Sequence, residues 1–257
     1  MLKLLVIGIG SGNPEHMTVQ AINTLNSADV VLLPRKGAAK ADLAELRREI
    51  CRRFLTNAAT RVVEFDLPRR DTGAQDYRAS VDAWHAAIAD TYDELLRREL
   101  EDGGRAALLV WGDPSLYDST LRILDRLRAA RGSAFEIEVV PGITSVQALA
   151  ASHAIPLNEV GDPILFTTGR RLREGFPDHA DTVVVMLDGE MSFRDLPGDE
   201  FDIYWGAYLG LEQETVISGM LGDVAGKIAQ TRTRAREKNG WVMDVYLLRR
   251  KKLGKRR

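Results

Sequence analysis

The sequence predicts an α/β fold of two domains, with a parallel sheet in residues 1–155 and a mixed sheet in residues 156–257. In the first range, short β-branched runs alternate with longer helical stretches. These runs are interpreted as lacking apolar/polar alternation, which is typical of strands that are buried on both faces. After Ile155 and Pro156 the strands are separated by irregular, glycine- and proline-rich stretches, which indicates a second sheet of different construction.

The first domain is predicted to alternate strands and helices in regular order. The strands are the N-terminal run LLVIGI, Val30–Leu33, Arg61–Phe65, Ala106–Trp111 and Glu136–Val140. The helices are Met17–Ala28, Ala41–Phe54, Tyr77–Glu101 and Ser119–Arg131, and a further helix is predicted at Ser145–Ser152. Such alternation indicates a parallel sheet with right-handed crossover connections.

The second domain is predicted to contain four strands and few helices. The strand sequences are DPILFTTG, TVVVML, FDIYWGAYLG and WVMDVYLL. Polar loops rich in turn-forming residues are expected at 67–76 and 171–181.

Composition and charge limit the classes of partner. The chain has 257 residues, 45% of them hydrophobic and 28% charged, which is usual for a globular protein. Its formal net charge of −2 gives no global positive field, so neither nucleic acid nor a membrane is expected as the main partner. No run approaches the ~20 apolar residues of a membrane span. The run LLVIGI indicates a strand and not a signal peptide, and the basic tail 249–257 is expected to be solvated.

A single cysteine, Cys51, excludes an internal disulfide and a cysteine-based zinc site. This usage fits a reducing, cytoplasmic environment. Cys51 lies at helical spacing from Leu46 and Ile50, so it is expected to be a buried structural thiol.

The first strand runs into a turn that contains Gly8, Gly10 and Gly12. A nicotinamide-binding turn requires G-x-G-x-x-G and an acidic residue after the second strand. Here Asn13 occupies the place of the third glycine and Pro34-Arg35-Lys36 follows the second strand, although Arg35 could face a 2′-phosphate. The alternative is a tight turn in which the glycines only permit positive φ, ahead of a helix capped by Thr18.

Two further segments follow the fourth and fifth strands. They read WGDPSLYDST and PGITSVQALAA, and the carboxyl ends of parallel strands are where open α/β sheets bind ligands. Asp113 brings a carboxylate to that edge, and Thr144 and Ser145 bring hydroxyls and amides to the start of a helix. The alternative role for Asp113 is to cap the helix that begins near Tyr117 or Asp118.

Taken in order, the three motifs VIGIGSGNPEHMT, WGDPSLY and PGITSVQALAA resemble those of the tetrapyrrole methylases. That family carries V-x-G-x-G-P-G, G-D-P and P-G-[IV]-[ST]-[SA] at these strand ends. Ser11 and Asn13 stand where the common pattern has proline and aspartate. The likeness covers nearly the whole chain, since VVVML and VISGML also lie at the expected places. It implies a class III methyltransferase of two domains, with its active-site cleft between them.

The resemblance also implies S-adenosylmethionine as methyl donor, with S-adenosylhomocysteine as the product. The positions of this chain that match the donor-binding motifs are Gly10, Trp111, Gly112, Asp113, Leu116, Thr144, Ser145, Met186, Leu187 and Gly219. Among the family members, the likeness is to those of aerobic cobalamin biosynthesis that methylate carbon 1 of a contracted precorrin and release acetate. Neither a metal nor a covalent nucleophile is required.

Loss of the acetyl group requires a general base, for which His16 and Tyr117 are the candidates. A solvated surface position is the alternative for His16. Tyr117 is better suited to line the pocket, because an ordinary phenol pKa of about 10 makes a poor base near neutrality. His153 is expected to be packed or hydrogen bonded.

The substrate carries several carboxylates, which need cations or amides at the site. The candidate pairs are Arg35 and Lys36, Arg69 and Arg70, and Arg170 and Arg171, with Arg35, Lys36 and Arg170 preferred. Each pair could equally be ordinary surface charge.

The resemblance implies a homodimer that acts on a small-molecule tetrapyrrole. Three other functions remain open from the sequence. Relatives of this fold methylate ribosomal RNA or a modified histidine of a translation factor, and RNA would require a basic face. A non-catalytic adenosine-binding regulator would keep the same turns, and a nicotinamide oxidoreductase is the third alternative.

Overall fold

The computed structural model describes residues 1–35, 41–71, 73, 76–131 and 135–251. The chain divides into two compact units, Met1–Ile143 and Thr144–Arg257. The sequence places this boundary later, after residue 155. The difference arises because helix Ser145–Ser152 packs within the second unit, where Leu149 contacts Gly206 and His153 at the helix end bonds to the carbonyl oxygen of Trp205.

The first unit is built on a five-stranded sheet in which every pairing is parallel. Its strands are β1 (Leu2–Gly8), β2 (Val30–Arg35), β3 (Arg61–Asp66), β4 (Gly104–Val110) and β5 (Phe135–Val140), in the order β3-β2-β4-β1-β5. Its helices are α1 (Val19–Asn26), α2 (Ala41–Phe54), α3 (Tyr77–Glu99) and α4 (Thr120–Arg131). The predicted alternation of strand and helix is confirmed.

Both faces of the central strands β1, β2 and β4 are buried, as their apolar sequences predict, whereas the edge strand β3 is largely exposed. Leu4 and Val6 of β1 belong to one cluster, which includes residues of α3 and α4. Leu5 and Ile7 point to the other face and pack with residues of α1 and α2. Cys51 lies in that second cluster, and burial raises the pKa of its thiol to about 11. The prediction of a buried structural thiol is therefore confirmed.

The first helix begins where the sequence indicates. The Thr18 side chain accepts a hydrogen bond from the amide of Ala21 at 3.0 Å, which caps α1. Pro14 starts a separate 3₁₀ turn, Pro14–His16, and the Asn13 side chain accepts from the amide of Glu15 at 2.9 Å. Asn13 therefore acts as a cap at the position where the common motif has an aspartate.

The second unit contains a mixed sheet, as predicted, with five strands where four are predicted from the sequence. Its strands are β6 (Ile164–Thr168), β7 (Thr182–Met186), β8 (Phe201–Ala207), β9 (Thr215–Met220) and β10 (Asp244–Arg250), in the order β6-β7-β10-β8-β9. Only β6 and β7 pair in parallel. Its helices are α5 (Ser145–Ser152), α6 (Gly169–Leu172) and α7 (Leu221–Asn239).

The elements predicted for the second unit lack β9, α6 and α7, and the first two residues of the loop predicted at 171–181 belong to α6. Strand β9 is short and contains Gly219, so its pattern is weak. Helix α7 buries only Leu221, Ile228 and Arg232, and one of these three is charged. So narrow an apolar stripe does not produce the periodicity from which a helix is predicted.

Two expectations concern membranes and the basic tail. Within the described part of the chain, no helix has both the length and the apolar character needed to cross a bilayer. Most of the tail, residues 252–257, lies outside the described residues.

Candidate functional site

The carboxyl ends of β1, β4 and β5 meet in the first unit through glycine backbones. A Cβ added to Gly142 would lie 2.1 Å from the carbonyl oxygen of Gly112, and one added to Gly8 would lie 2.6 Å from the amide nitrogen of Gly142. Atoms cannot approach so closely without displacing the backbone. These positions therefore require glycine for close packing of the three strand ends, a role that the sequence does not reveal for Gly142.

Gly10 and Gly112 tie the first and fourth turns together. They form an isolated antiparallel bridge, in which the amide of Gly112 donates to the carbonyl of Gly10 at 2.8 Å. Both have positive φ, +83° for Gly10 and +68° for Gly112. Glycine is therefore needed in both turns for the positive φ. The two turns also present main-chain groups at the sheet edge where ligands bind.

Asp113 joins the fourth turn to the fifth. One carboxylate oxygen accepts from the amide of Gly142 at 2.8 Å, and the other accepts from the amide and hydroxyl of Ser115. Burial alone would raise the pKa of this carboxyl, but the three hydrogen bonds outweigh it and hold the pKa below its usual value. The next helix is capped instead by Asp118, which accepts from the amide of Thr120 at 2.7 Å. Asp113 therefore orients the turns of the site.

Asp113→Asn tests this bridging role. An Asp with a lowered pKa in the folded chain stabilises the fold fully above its unfolded pKa of about 4, and this contribution is lost as pH falls through the folded value. We expect the variant to lose about 1–3 kcal/mol of unfolding free energy at pH 7, and the deficit to shrink below about pH 4. Urea denaturation at several pH values measures both. The exposed Asp102→Asn is the control, and an equal, pH-independent effect of both substitutions would contradict the role.

Three buried polar atoms beside this turn have no hydrogen-bond partner among the described residues: Ser11 Oγ, His16 Nδ1 and Trp111 Nε1. An unpaired buried polar group costs about 1–3 kcal/mol, so a cluster of them marks a place where water or a ligand supplies the partners. Ser11 occupies the place where the common motif has proline. Ser11 Oγ and Trp111 Nε1, with the main-chain groups of the two turns, fit a polar nucleoside such as S-adenosylmethionine.

The two candidate bases both lie in these turns. His16 is half-buried and packs over Gly10, where an added Cβ would lie 2.5 Å from the His16 Cβ. It is therefore not a fully solvated surface histidine. Tyr117 is 42% exposed and has a φ of +51°. Burial of part of its ring raises the pKa of the phenol, which makes Tyr117 a still poorer base.

The positions of the basic residues that are predicted to bind the substrate carboxylates do not show whether they bind it. Arg35 ends β2 and pairs with Asp66 at 2.9 Å on an exposed surface. Arg170 is exposed in α6. Lys36 lies outside the described residues. The role of all three remains a prediction.

In the second unit, Thr144 begins α5 through a capping box with Gln147. Its side chain accepts from the amide of Val146 at 3.2 Å, and its own amide donates to Gln147 at 3.0 Å. Ser145 follows and is half-buried. The hydroxyl and amide of Thr144 are thus already engaged by the helix. Gly219 lies in β9 with a φ of +150°, and an added Cβ there would lie 3.0 Å from Val224.

Met186 ends β7, and Leu187 follows it in an unusual backbone conformation. Leu187 has a φ of +53° and is 67% exposed, both uncommon for this residue type. Asp188 follows and is buried; its carboxylate accepts from the amide of Ser192 at 2.6 Å and from the hydroxyl of Tyr246 at 2.6 Å. Backbone strain beside a residue that is held by several hydrogen bonds is typical of functional positions.

A buried ion pair supports the same segment. Arg232 of α7 pairs with Asp244 of β10 at 2.9 Å, and its terminal nitrogens donate to the carbonyls of Asp188 and Gly189. Asp244 also accepts from the indole of Trp205 at 2.9 Å. The pair therefore connects α7 and β10 to the turn after β7.

Sequence reasoning missed the residues that support the candidate site. Asp188 had a usable signal, because an aspartate directly after a buried strand and ahead of Ser192 is a typical turn-capping arrangement. Arg232 had none, since it lies in a charged helix whose pattern does not mark it as buried. His153 was predicted correctly, and its Nε2 lies 3.1 Å from the carbonyl oxygen of Trp205.

The model of the tetrapyrrole (corrin/porphyrin) methylases matches residues 3–225 of the chain. A precorrin-6A synthase [deacetylating] of Sinorhizobium sp. is 58% identical over 249 residues, covering 97% of this chain and 95% of the relative. A crystal structure of a cobalamin synthesis related protein from Corynebacterium diphtheriae matches with a TM-score of 0.83 and 36% identity, over 97% of this chain and 99% of that one.

A uroporphyrin-III C-methyltransferase from Thermus thermophilus, complexed with S-adenyl homocysteine, has the same fold. The TM-score is 0.56 and the identity 20%, over 96% of both chains.

Proposed function

The chain belongs to the tetrapyrrole methylases, and from that premise we propose that it is the methyltransferase that converts precorrin-5 to precorrin-6A in aerobic cobalamin biosynthesis. The observation that carries the proposal is the 58% identity to the precorrin-6A synthase over 97% of the chain. The nicotinamide and regulator alternatives have no such support. A dimer of this chain remains a prediction.

S-adenosylmethionine, the proposed donor, supplies a methyl group already activated on a sulfonium sulfur. Catalysis by the protein then consists largely of positioning, since the reacting atoms must be aligned about 3–3.5 Å apart. In the first unit, Gly10, Trp111, Gly112 and Leu116 are proposed to contact the donor, with Asp113 holding the turns. In the second unit, the proposed contacts are Thr144, Ser145, Met186, Leu187 and Gly219.

The deacetylation step requires water to add to the acetyl carbonyl. The bond between the carbonyl carbon and ring carbon 1 then breaks, its electron pair stays with the macrocycle, and acetate leaves. Carbon 1 takes the methyl group. We propose that His16 accepts the proton of the attacking water, because it lies in the glycine turn with a buried, unpartnered ring nitrogen. Tyr117 is proposed to line the pocket.

Anaerobic turnover tests the proposed function. The protein is incubated with methyl-labelled S-adenosylmethionine and a panel of methylated precorrins, and both label transfer and acetate are followed. We expect equimolar label and acetate with precorrin-5 alone. Label transfer to another precorrin without acetate would contradict the assignment.

His16→Ala tests the proposed base. We expect it to slow acetate release by about 10²-fold or more, the usual contribution of a positioned base, and to weaken S-adenosylhomocysteine binding much less. Single-turnover acetate assays and calorimetry separate the two effects. Glu15→Gln, at the neighbouring exposed residue, is the control. Unchanged acetate release in His16→Ala would exclude His16 as the base.

A further inference from the structure

Tyr117 lies in the turn after β4 in a backbone conformation that its residue type disfavours. Its φ is +51°, and 42% of the residue is exposed. Positive φ is uncommon for residues other than glycine, and for a bulky side chain it is an outlier. Proteins retain such a conformation where surrounding contacts enforce it, and these positions cluster at ligand sites. The choice of a tyrosine here therefore needs an explanation.

Two aspartate-capped turns fix the backbone on either side of Tyr117. Before it, Asp113 accepts a hydrogen bond from the amide of Ser115 at 2.8 Å. After it, Asp118 accepts one from the amide of Thr120 at 2.7 Å. The backbone of Tyr117 is thus held at a defined place on the carboxyl edge of the first sheet, which is the edge where open α/β sheets bind ligands.

A second tyrosine with positive φ shows how the fold can account for such a residue. Tyr208 has a φ of +55° and is only 3% exposed. Its hydroxyl donates to the carbonyl of Trp241, and the centroids of the two rings lie 5.2 Å apart in an edge-to-face contact. Tyr117 differs: among the described residues, its hydroxyl has no hydrogen-bond partner and its ring has no aromatic neighbour. Contacts within the fold therefore explain the tyrosine at 208 and not the one at 117.

The exposure of Tyr117 separates it from the groups that are proposed to bind the donor in the first unit. Those groups are Gly10, Trp111, Gly112 and Leu116, and all four are buried or half-buried. A ligand of nucleoside size that reaches them lies within the turns. An exposed aromatic ring at the same edge suits a wider partner with an apolar face, such as a conjugated macrocycle.

We propose that Tyr117 is a substrate-binding residue whose ring packs against a face of the tetrapyrrole. The inference deepens the proposed function and rests on it for the identity of the substrate. Packing of this kind removes the exposed part of the ring from water and adds a stacking interaction with the pyrrole units. It accounts for a bulky ring at positive φ, because the substrate uses the ring and the fold does not.

Titration of the full chain with uroporphyrin III, a stable polycarboxylate macrocycle, tests the contact through the absorbance of the porphyrin. Tyr117→Asn removes the ring and introduces a residue that accepts positive φ, so it should keep the urea midpoint of the parent and bind uroporphyrin about tenfold more weakly. Tyr117→Phe keeps the ring and should bind within about threefold of the parent. Tyr117→Gly, which accepts any φ, replaces Tyr117→Asn if that variant does not fold.

Val62→Asn is the matched control for the loss of an exposed apolar side chain. Val62 is 44% exposed and lies at the amino end of β3, away from the carboxyl edge of the sheet. Its uroporphyrin affinity should equal that of the parent. A weaker affinity in Val62→Asn, equal to that of Tyr117→Asn, would overturn the proposal, because the porphyrin would then bind to apolar surface without a specific site.

Further results would also overturn the proposal. These are an absence of saturable uroporphyrin binding in the parent, equal affinity in the parent and Tyr117→Asn, and an equal loss in Tyr117→Phe, which would assign the binding to the hydroxyl. Weaker S-adenosylhomocysteine binding in Tyr117→Asn, measured by calorimetry, would assign the ring to the donor. A changed oligomeric state of that variant in sedimentation would assign it to an interface between copies.

The uroporphyrin titration requires no turnover, so its failure can be distinguished from a failure of the proposed function. If precorrin-5 is not methylated but Tyr117→Asn loses uroporphyrin affinity, the ring contact stands and the proposed reaction is wrong. If precorrin-5 is converted and the affinities are equal, the proposed function stands and the role of Tyr117 is wrong.

Discussion

Gly142→Ala is expected to lower the free energy of unfolding by about 3 kcal/mol and to weaken S-adenosylhomocysteine binding at least tenfold. The added Cβ would lie 2.1 Å from the carbonyl oxygen of Gly112 and 2.8 Å from the carbonyl carbon of Gly8. Because both neighbours are backbone atoms, no side-chain rotation relieves the overlap, and overpacking costs typically reach about 1–3 kcal/mol even when relaxation occurs. Urea denaturation and calorimetry measure the two effects.

Gly226→Ala is the matched control for this glycine. Gly226 lies inside α7, and an added Cβ there would contact nothing within 4 Å. Alanine in a helix interior should stabilise the protein by about 0.5–1 kcal/mol and leave donor binding unchanged. If Gly142→Ala has the same stability and the same S-adenosylhomocysteine affinity as Gly226→Ala, the close packing of the three strand ends does not determine the geometry of the donor site.

Arg232→Met should cost about 3–5 kcal/mol of unfolding free energy, because it leaves Asp244 buried without its partner. The carbonyls of Asp188 and Gly189 also lose their donors, so the turn that carries Leu187 loses its support. We therefore expect weaker S-adenosylhomocysteine binding as well. Arg52→Met, at an exposed ion pair, should cost no more than about 1 kcal/mol.

The double variant Arg232→Met with Asp244→Leu separates stability from binding. Removal of both charges should restore part of the stability, since apolar replacement of a buried pair is often neutral. Donor affinity should stay low, because the carbonyls of Asp188 and Gly189 still lack their donors. Recovery of both properties together would contradict a positioning role for Arg232.

The first sheet was predictable because its central strands β1, β2 and β4 consist mostly of apolar residues. Strands buried on both faces carry this signal wherever they lie, and β1 and β4 are clear examples. The division of the chain was less predictable. Helix α5 follows the last parallel strand in sequence, so the pattern assigned it to the first sheet, whereas its contacts are with β8 and β10.

The residues of the candidate site that lie in motifs at strand ends were predictable. The buried side chains that stabilise the site from distant helices were not. Gly10, Gly112 and Asp113 lie within recognisable turns. Arg232 lies in a helix where neighbouring arginines are exposed, and only packing distinguishes the buried one from the rest. A single sequence contains no information on which arginine of such a helix is enclosed.

The central claim is that the turns after β1 and β4 hold the methyl donor, and a crystal structure of the protein with S-adenosylhomocysteine tests it most directly. The account predicts the ligand against Gly10 and Gly112, with polar contacts that satisfy Ser11 Oγ or Trp111 Nε1. A ligand bound elsewhere, with these two atoms still unpaired, would contradict it.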